Sequence, residues 1–115
     1  MNIAKLIGNF GENKISKLYR SKGYKIISRN FNCRYGELDI VAQKGNTVVI
    51  IEVKTRKNDS YANAKDFVDY NKQNKIKRTT DIFLQQNNLS DYFVRFDVAE
   101  VYTQNNKINI IENAF

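Results

Sequence analysis

The stretch Glu37–Arg56, ELDIVAQKGNTVVIIEVKTR, decides the fold. Two β-branched-rich runs, Glu37 to Gln43 and Thr47 to Arg56, flank Lys44-Gly45-Asn46, and Gly-Asn at the centre of a turn is a two-residue hairpin signature. With that turn, Lys44 pairs with Thr47. Counting back sets Gln43 against Val48, Val41 against Ile50, Asp39 against Glu52 and Glu37 against Lys54. Side chains alternate along a strand, so Leu38, Ile40, Ala42, Val49, Ile51 and Val53 share the opposite face, which is uniformly apolar and expected to be buried.

The first face runs from Val41 and Ile50 to two opposed carboxylates and then to a carboxylate–lysine pair. Opposed residues lie about 5 Å apart at Cβ. At an effective dielectric of about 20, two carboxylates there repel by roughly 3 kcal/mol, a large fraction of a small domain's stability. A divalent cation offsets this directly. Mg²⁺ or Mn²⁺ takes hard oxygen ligands, here Asp39, Glu52 and the backbone carbonyl of Val53, with waters and a substrate phosphate completing the shell. Lys54 lies on the same face as Glu52, placed to position or deprotonate a water, or to neutralise charge on a scissile phosphate. The parts suit phosphodiester hydrolysis. Glu-x-Lys by itself is an ordinary charge pattern on exposed strands. Its convergence with Asp39 on a hairpin whose other face is apolar makes it a candidate metal centre.

Outward from the hairpin, Ile3 to Lys22 reads as a helix, with Ala4, Gly8, Gly11, Ile15, Leu18 and Tyr19 at spacings of three and four and Gly23 as the stop. Glu12 falls within that stripe, either as a carboxylate that binds a metal or as one at the stripe's edge that meets a lysine. Gly8 and Gly11 either allow close approach of this helix or weaken it. Tyr24 to Ile27 is a short strand candidate, and Arg29 to Tyr35 a polar connection. Ala62 to Asn87 has helical composition, with Ile76, Thr80, Phe83 and Leu84 on one face over its second half; its first half, around Asp66 to Lys72, reads either as part of that helix or as a separate turn. Tyr92 to Tyr102 alternates, with Val94, Phe96 and Val98 opposite Arg95 and Asp97; Asn105-Asn106 then turns into a last strand, Lys107 to Ile111. The expected architecture is α/β, a mixed sheet flanked by helices in a single domain over residues 1–115.

Composition narrows the chemistry. The chain of 115 residues has one Cys and no His, which excludes an internal disulfide, Ser-His-Asp and Cys-His nucleophiles and His-based metal sites. No apolar run reaches the roughly 18 residues of a membrane span, and the start, Met1 to Phe10, lacks signal-peptide features, so a cytoplasmic location and no membrane partner are expected. The net charge is +7. It concentrates in Lys14, Lys17, Arg20, Lys22, Lys25, Arg29 and Arg34, with no acid between Glu12 and Glu37, and in Lys72, Lys75, Lys77 and Arg78. Two acid-free clusters favour a nucleic-acid backbone as partner.

The stretches Gly11-Glu12, Gly23-Tyr24, Arg29-Asn30, Arg34, Gly36-Glu37-Leu38-Asp39, Glu52-Val53-Lys54-Thr55-Arg56, Val68 with Lys72, and Arg95-Phe96-Asp97-Val98 together resemble the YraN-like family of the PD-(D/E)xK nuclease superfamily. The resemblance implies a restriction-endonuclease-like core similar to that of Holliday junction resolvases. It implies Asp39 as first motif acid, Glu52 and Lys54 as the second motif, and Glu12 as an auxiliary glutamate from the early helix. It is also compatible with a homodimer acting on branched DNA. Tyr61-Ala62-Asn63-Ala64 lacks a glycine often present after the Glu-x-Lys strand.

Other residues carry two readings. Lys72 matches a family lysine and is either a phosphate contact or part of a solvated basic face; Arg34 and Arg56, the latter with Lys57 entering a polar loop, suit backbone contacts. Tyr35 either stacks on a base or caps the core. Arg95 and Asp97 are expected to form a structural ion pair. The expected function is a Mg²⁺- or Mn²⁺-dependent DNA endonuclease. The alternatives are a non-catalytic nucleic-acid-binding module serving a repair or processing partner, and a protein-interaction scaffold.

Overall fold

A computed structural model describes residues 2–58 and 68–115 of the chain. The elements run α1 (Ile3–Ser21), β1 (Lys25–Cys33), β2 (Gly36–Lys44), β3 (Thr47–Arg56), α2 (Tyr70–Gln86), β4 (Phe93–Tyr102) and β5 (Lys107–Ile111). The five strands form one mixed sheet in sequence order, antiparallel except for the parallel β3–β4 pair that α2 connects. This is the expected α/β arrangement, a mixed sheet flanked by helices.

Both faces of the sheet are covered. On one, Ile15 and Tyr19 of α1 pack on Ile40, Ala42, Val49, Ile51, Ala99 and Val101. On the other, Ile76, Phe83 and Leu84 of α2 pack on Leu38, Val41, Val48, Ile50 and Val98. The hairpin turn and its register stand as read, from Lys44↔Thr47 to Ile40↔Ile51. The central strands are thus apolar on both faces, as burial between two helices requires.

Three expectations are corrected. β1 continues through Arg29 to Cys33, where the sequence suggests a polar connection. A bulge between Ile26 and Ser28 and a left-handed Asn30 at φ 56° interrupt its alternation, so no period of two reaches the sequence. Leu38 lies on the α2 face with Val41, not on the α1 face with Ile40, because β2 breaks its alternation opposite Asn30. Finally, α2 starts at Tyr70, where the Asp69 side chain caps the helix by accepting from the Lys72 N–H at 2.8 Å. The earlier part of the helix read from Ala62, and the loop Tyr61–Ala64, lie outside the described residues.

The two glycines of α1 separate clearly. A Cβ at Gly8 would meet nothing within 4 Å, whereas one at Gly11 would collide with the Thr55 side chain of β3. Gly11 therefore lets α1 approach β3 closely, next to Glu12. Gly11→Ala is expected to lower stability by about 1–3 kcal/mol, the usual cost of overpacking, whereas Gly8→Ala is expected to be neutral or stabilising; urea denaturation of both variants checks this.

Candidate metal centre

The β2–β3 ladder ends at Ile40↔Ile51, one step before the opposed Asp39 and Glu52 that the register extrapolates. Beyond it the Asp39 carboxylate accepts a hydrogen bond from the Val53 N–H at 2.8 Å. A backbone N–H of a strand points along the sheet, so the Asp39 side chain has turned into the gap between the strands. The N–H and C=O of one strand residue point to the same side, which aims the Val53 carbonyl at the same gap. The proposed pairing of Glu37 with Lys54 lies beyond the end of this ladder; on the other edge of β2, Glu37 pairs with Asn32 of β1.

Asp39 borders two clefts. One, of about 300 Å³, is lined by Gly36, Glu37, Asp39, Glu52, Lys72, Lys75 and Ile76 on the α2 side. The other, of about 380 Å³, joins Asp39, Val53 and Thr55 to Glu12, Gly8, Ile7 and Ala4 on the α1 side. Asp39 thus stands between Glu52 and Glu12. Among the described residues no three Asp, Glu, Cys or His side chains converge as one metal-holding group. The candidate donors are therefore two acids and a carbonyl, with Glu12 in the neighbouring cleft.

Each carboxylate has its own surroundings. Glu52 is buried and pairs with the Lys72 ammonium at 3.0 Å. Glu12 is also buried and meets Arg29 at 3.3 Å, while Arg29 donates to Asn13 at 2.6 Å. The partner of Glu12 is therefore an arginine from β1 and not a lysine. Among the described residues Asp39 has no ion pair: burial first, and the Glu52 charge second, push its carboxyl up to about 7 against the pull of the Val53 N–H. Burial and then the neighbouring Lys72 ammonium lower the Lys54 ammonium below the usual lysine range. Burial works against the charge of Lys72, but Glu52 outweighs it and holds that ammonium above the usual range.

A carboxyl harder to ionise in the folded chain than in the unfolded one binds more protons when folded. Stability therefore falls as pH rises from about 4 through about 7, and the loss is complete above that window. In chelator, the melting temperature is expected to rise on going from pH 8 to pH 5.5. Asp39→Asn is expected to flatten that profile and to raise stability at pH 8 by on the order of 2 kcal/mol. A scanning fluorimetry series at several pH values checks both.

The remaining candidates are dispersed. Lys72 faces the acids and belongs to the centre. Arg56 pairs with Glu100 at 3.2 Å across the β3–β4 sheet. Arg34 lies at the β1–β2 turn, with its guanidinium 4.9 Å from the centre of the Tyr35 ring. Arg95 and Asp97 form the expected ion pair at 2.9 Å. Sequence reasoning missed the ties of Lys72 and Arg29 to the acids and the stacking of Arg78 on Tyr35, because each depends on how β1 and α2 dock.

The donor set fits a hard divalent cation: the Asp39 carboxylate turned into the sheet gap, the Glu52 carboxylate lining the same cleft, and the Val53 carbonyl aimed into the gap. Two acids and a carbonyl suit Mg²⁺ or Mn²⁺, which keep several waters.

A family model described as "Uncharacterised protein family UPF0102" matches residues 11–101. A UPF0102 protein of Caldicellulosiruptor saccharolyticus is 40% identical over 113 residues, covering 95% of this chain and 96% of that one. Another, of Caldicellulosiruptor bescii, is 41% identical over 120 residues with both chains covered completely. A third, of Caldanaerobacter subterraneus, is 37% identical over 116 residues, covering 96% and 95%.

Proposed function

The chain belongs to the uncharacterised protein family UPF0102, and from its centre we propose that it is a Mg²⁺- or Mn²⁺-dependent endonuclease that hydrolyses phosphodiester bonds in DNA, branched DNA included. The observation that supports this reading is the end of the β2–β3 ladder, where the Asp39 carboxylate accepts from the Val53 N–H and lines one cleft with Glu52, two residues before Lys54 on β3.

In this reading Asp39, Glu52 and the Val53 carbonyl hold the cation, which when bound polarises a phosphoryl oxygen and acidifies a water. Lys54, on the Glu52 side of β3, holds the attacking water through Nζ or donates to a non-bridging oxygen of the scissile phosphate. Its lowered proton affinity eases the exchange of that proton. The Val53 N–H fixes the Asp39 carboxylate in the gap, so little reorganisation is needed there. Lys72 balances Glu52 and adds positive charge to the cleft wall. Glu12, steadied by Arg29, is an auxiliary acid on the α1 side.

Symmetric cuts in a branched substrate need two such centres, so the active species in this reading is a homodimer. No helix among the described residues is long and apolar enough to cross a membrane.

The test is cleavage of labelled branched, flapped, single-stranded and linear DNA by purified protein with Mg²⁺ or Mn²⁺, beside Asp39→Ala and Lys54→Ala. Cleavage lost in both variants, with DNA binding retained, is the expected result. Tight salt-dependent binding without cleavage of any substrate would move the reading to a binding module.

A further inference from the structure

Beyond the acids the cleft wall continues along α2. Lys72, Lys75 and Arg78 recur every three residues and form a slanting stripe on its surface. Lys75 lines the acidic cleft and also a second cleft of about 350 Å³, shared with Arg34, Tyr35, Asn74 and Arg78. The two clefts thus meet at Lys75 and at the Tyr35-Gly36 step of the chain.

The second cleft gathers like charges. The Arg78 guanidinium lies 3.7 Å from the centre of the Tyr35 ring, and that of Arg34 lies 4.9 Å from it. The backbone at Tyr35 is tied into the turn, since its N–H donates to the Cys33 sulfur at 3.4 Å. One ring thus contacts two guanidiniums, and Lys75 lines the same cleft. Among the described residues no carboxylate forms an ion pair with Arg34, Lys75 or Arg78, whereas Arg29, Arg56, Lys72 and Arg95 each have one. Three cations gathered without an anion repel one another, and a bound phosphate removes that cost; the forked geometry of guanidinium also suits phosphate oxygens.

We propose that the Arg34–Tyr35–Asn74–Lys75–Arg78 cleft is a phosphate subsite that holds the substrate strand as it leaves the metal centre. This rests on the endonuclease reading and names where the strand runs. Six residues of α2 separate Lys72 from Arg78, about 9 Å along the axis, or two to three nucleotide steps of about 3.4 Å. Arg34, Lys75 and Arg78 contact the phosphates, and Tyr35 is a positioning residue that keeps the guanidiniums together. Free phosphate and a nucleic-acid backbone share this chemistry, and the experiment separates them.

Binding of fluorescein-labelled branched DNA is measured in EDTA at several NaCl concentrations, so that cleavage plays no part. Arg34→Gln/Arg78→Gln is expected to reduce the slope of log K against log salt by about 1.8, the value for two lost phosphate contacts. Tyr35→Leu removes no charge yet is expected to lose about half as much, while Tyr35→Phe restores the wild-type slope. With Mg²⁺, the double variant's loss is expected in KM more than in kcat. An unchanged slope beside intact cleavage overturns the subsite and leaves the nuclease. A reduced slope in a protein that cleaves nothing overturns the nuclease and leaves a nucleic-acid phosphate site. Inorganic phosphate or thymidine monophosphate that binds as tightly as the DNA, and is lost in the double variant, overturns the strand assignment in favour of a small-molecule site.

Discussion

Lys54→Ala is expected to lower DNA cleavage at least about 1000-fold while leaving DNA affinity within a few-fold of wild type, a loss of roughly 4 kcal/mol of transition-state stabilisation. Lys54 follows Glu52 on the same face of β3, next to the acids and to Lys72. Burial and the Lys72 charge both act against its protonated form, whereas Glu52 favours the protonated form of Lys72. Lys72 pairs with Glu52, and in the endonuclease reading Lys54 is the lysine that would meet new negative charge on phosphorus. A residue acting only on the transition state lowers kcat and kcat/KM together. Single-turnover cleavage at saturating and limiting enzyme distinguishes this from a binding defect; a loss confined to KM would assign Lys54 to the cleft wall.

The largest expected effect on stability is at Asp97. This carboxylate is fully buried and accepts from the Tyr19 hydroxyl at 2.6 Å, from the Arg95 guanidinium at 2.9 Å and from the Asn113 N–H at 3.0 Å. It ties α1, β4 and the residues after β5 to one point, and Asp97→Ala leaves their donors facing a hole. Removing one partner of a buried ion pair costs about 3–5 kcal/mol. For a domain of this size that is a melting-temperature loss of about 12 °C or more. Tyr19→Phe, which removes a single hydrogen bond, is expected to cost about 1 kcal/mol. Calorimetry of both variants checks the ranking, and near-equal effects would contradict it.

What could be read from the sequence follows the range of the interactions. The β2–β3 hairpin is specified by Gly45-Asn46 and by alternation within 20 residues, so its register and its Asp39, Glu52 and Lys54 are visible locally. β4 and β5 alternate cleanly about the Asn105-Asn106 turn. β1 escapes because the Ile26/Ser28 bulge and left-handed Asn30 destroy its period, and the same break moves Leu38 to the other face. The exact posture of Asp39 escapes for a related reason. Strict alternation places it opposite Glu52, whereas the end of the ladder lets it turn to the Val53 N–H and stand between two clefts. The Lys72–Glu52 and Arg29–Glu12 pairs and the Arg78–Tyr35 stack join residues 17 to 43 positions apart, which only the docking of β1 and α2 brings together.

The centre itself is most directly tested by Mn²⁺ titration of the purified protein, followed by electron paramagnetic resonance at pH 7.5, for wild type and Asp39→Asn. Saturable Mn²⁺ binding that Mg²⁺ displaces and Asp39→Asn abolishes is the result expected of a cation held by Asp39, Glu52 and the Val53 carbonyl. Binding that is identical in the two proteins, or absent from both, would contradict it.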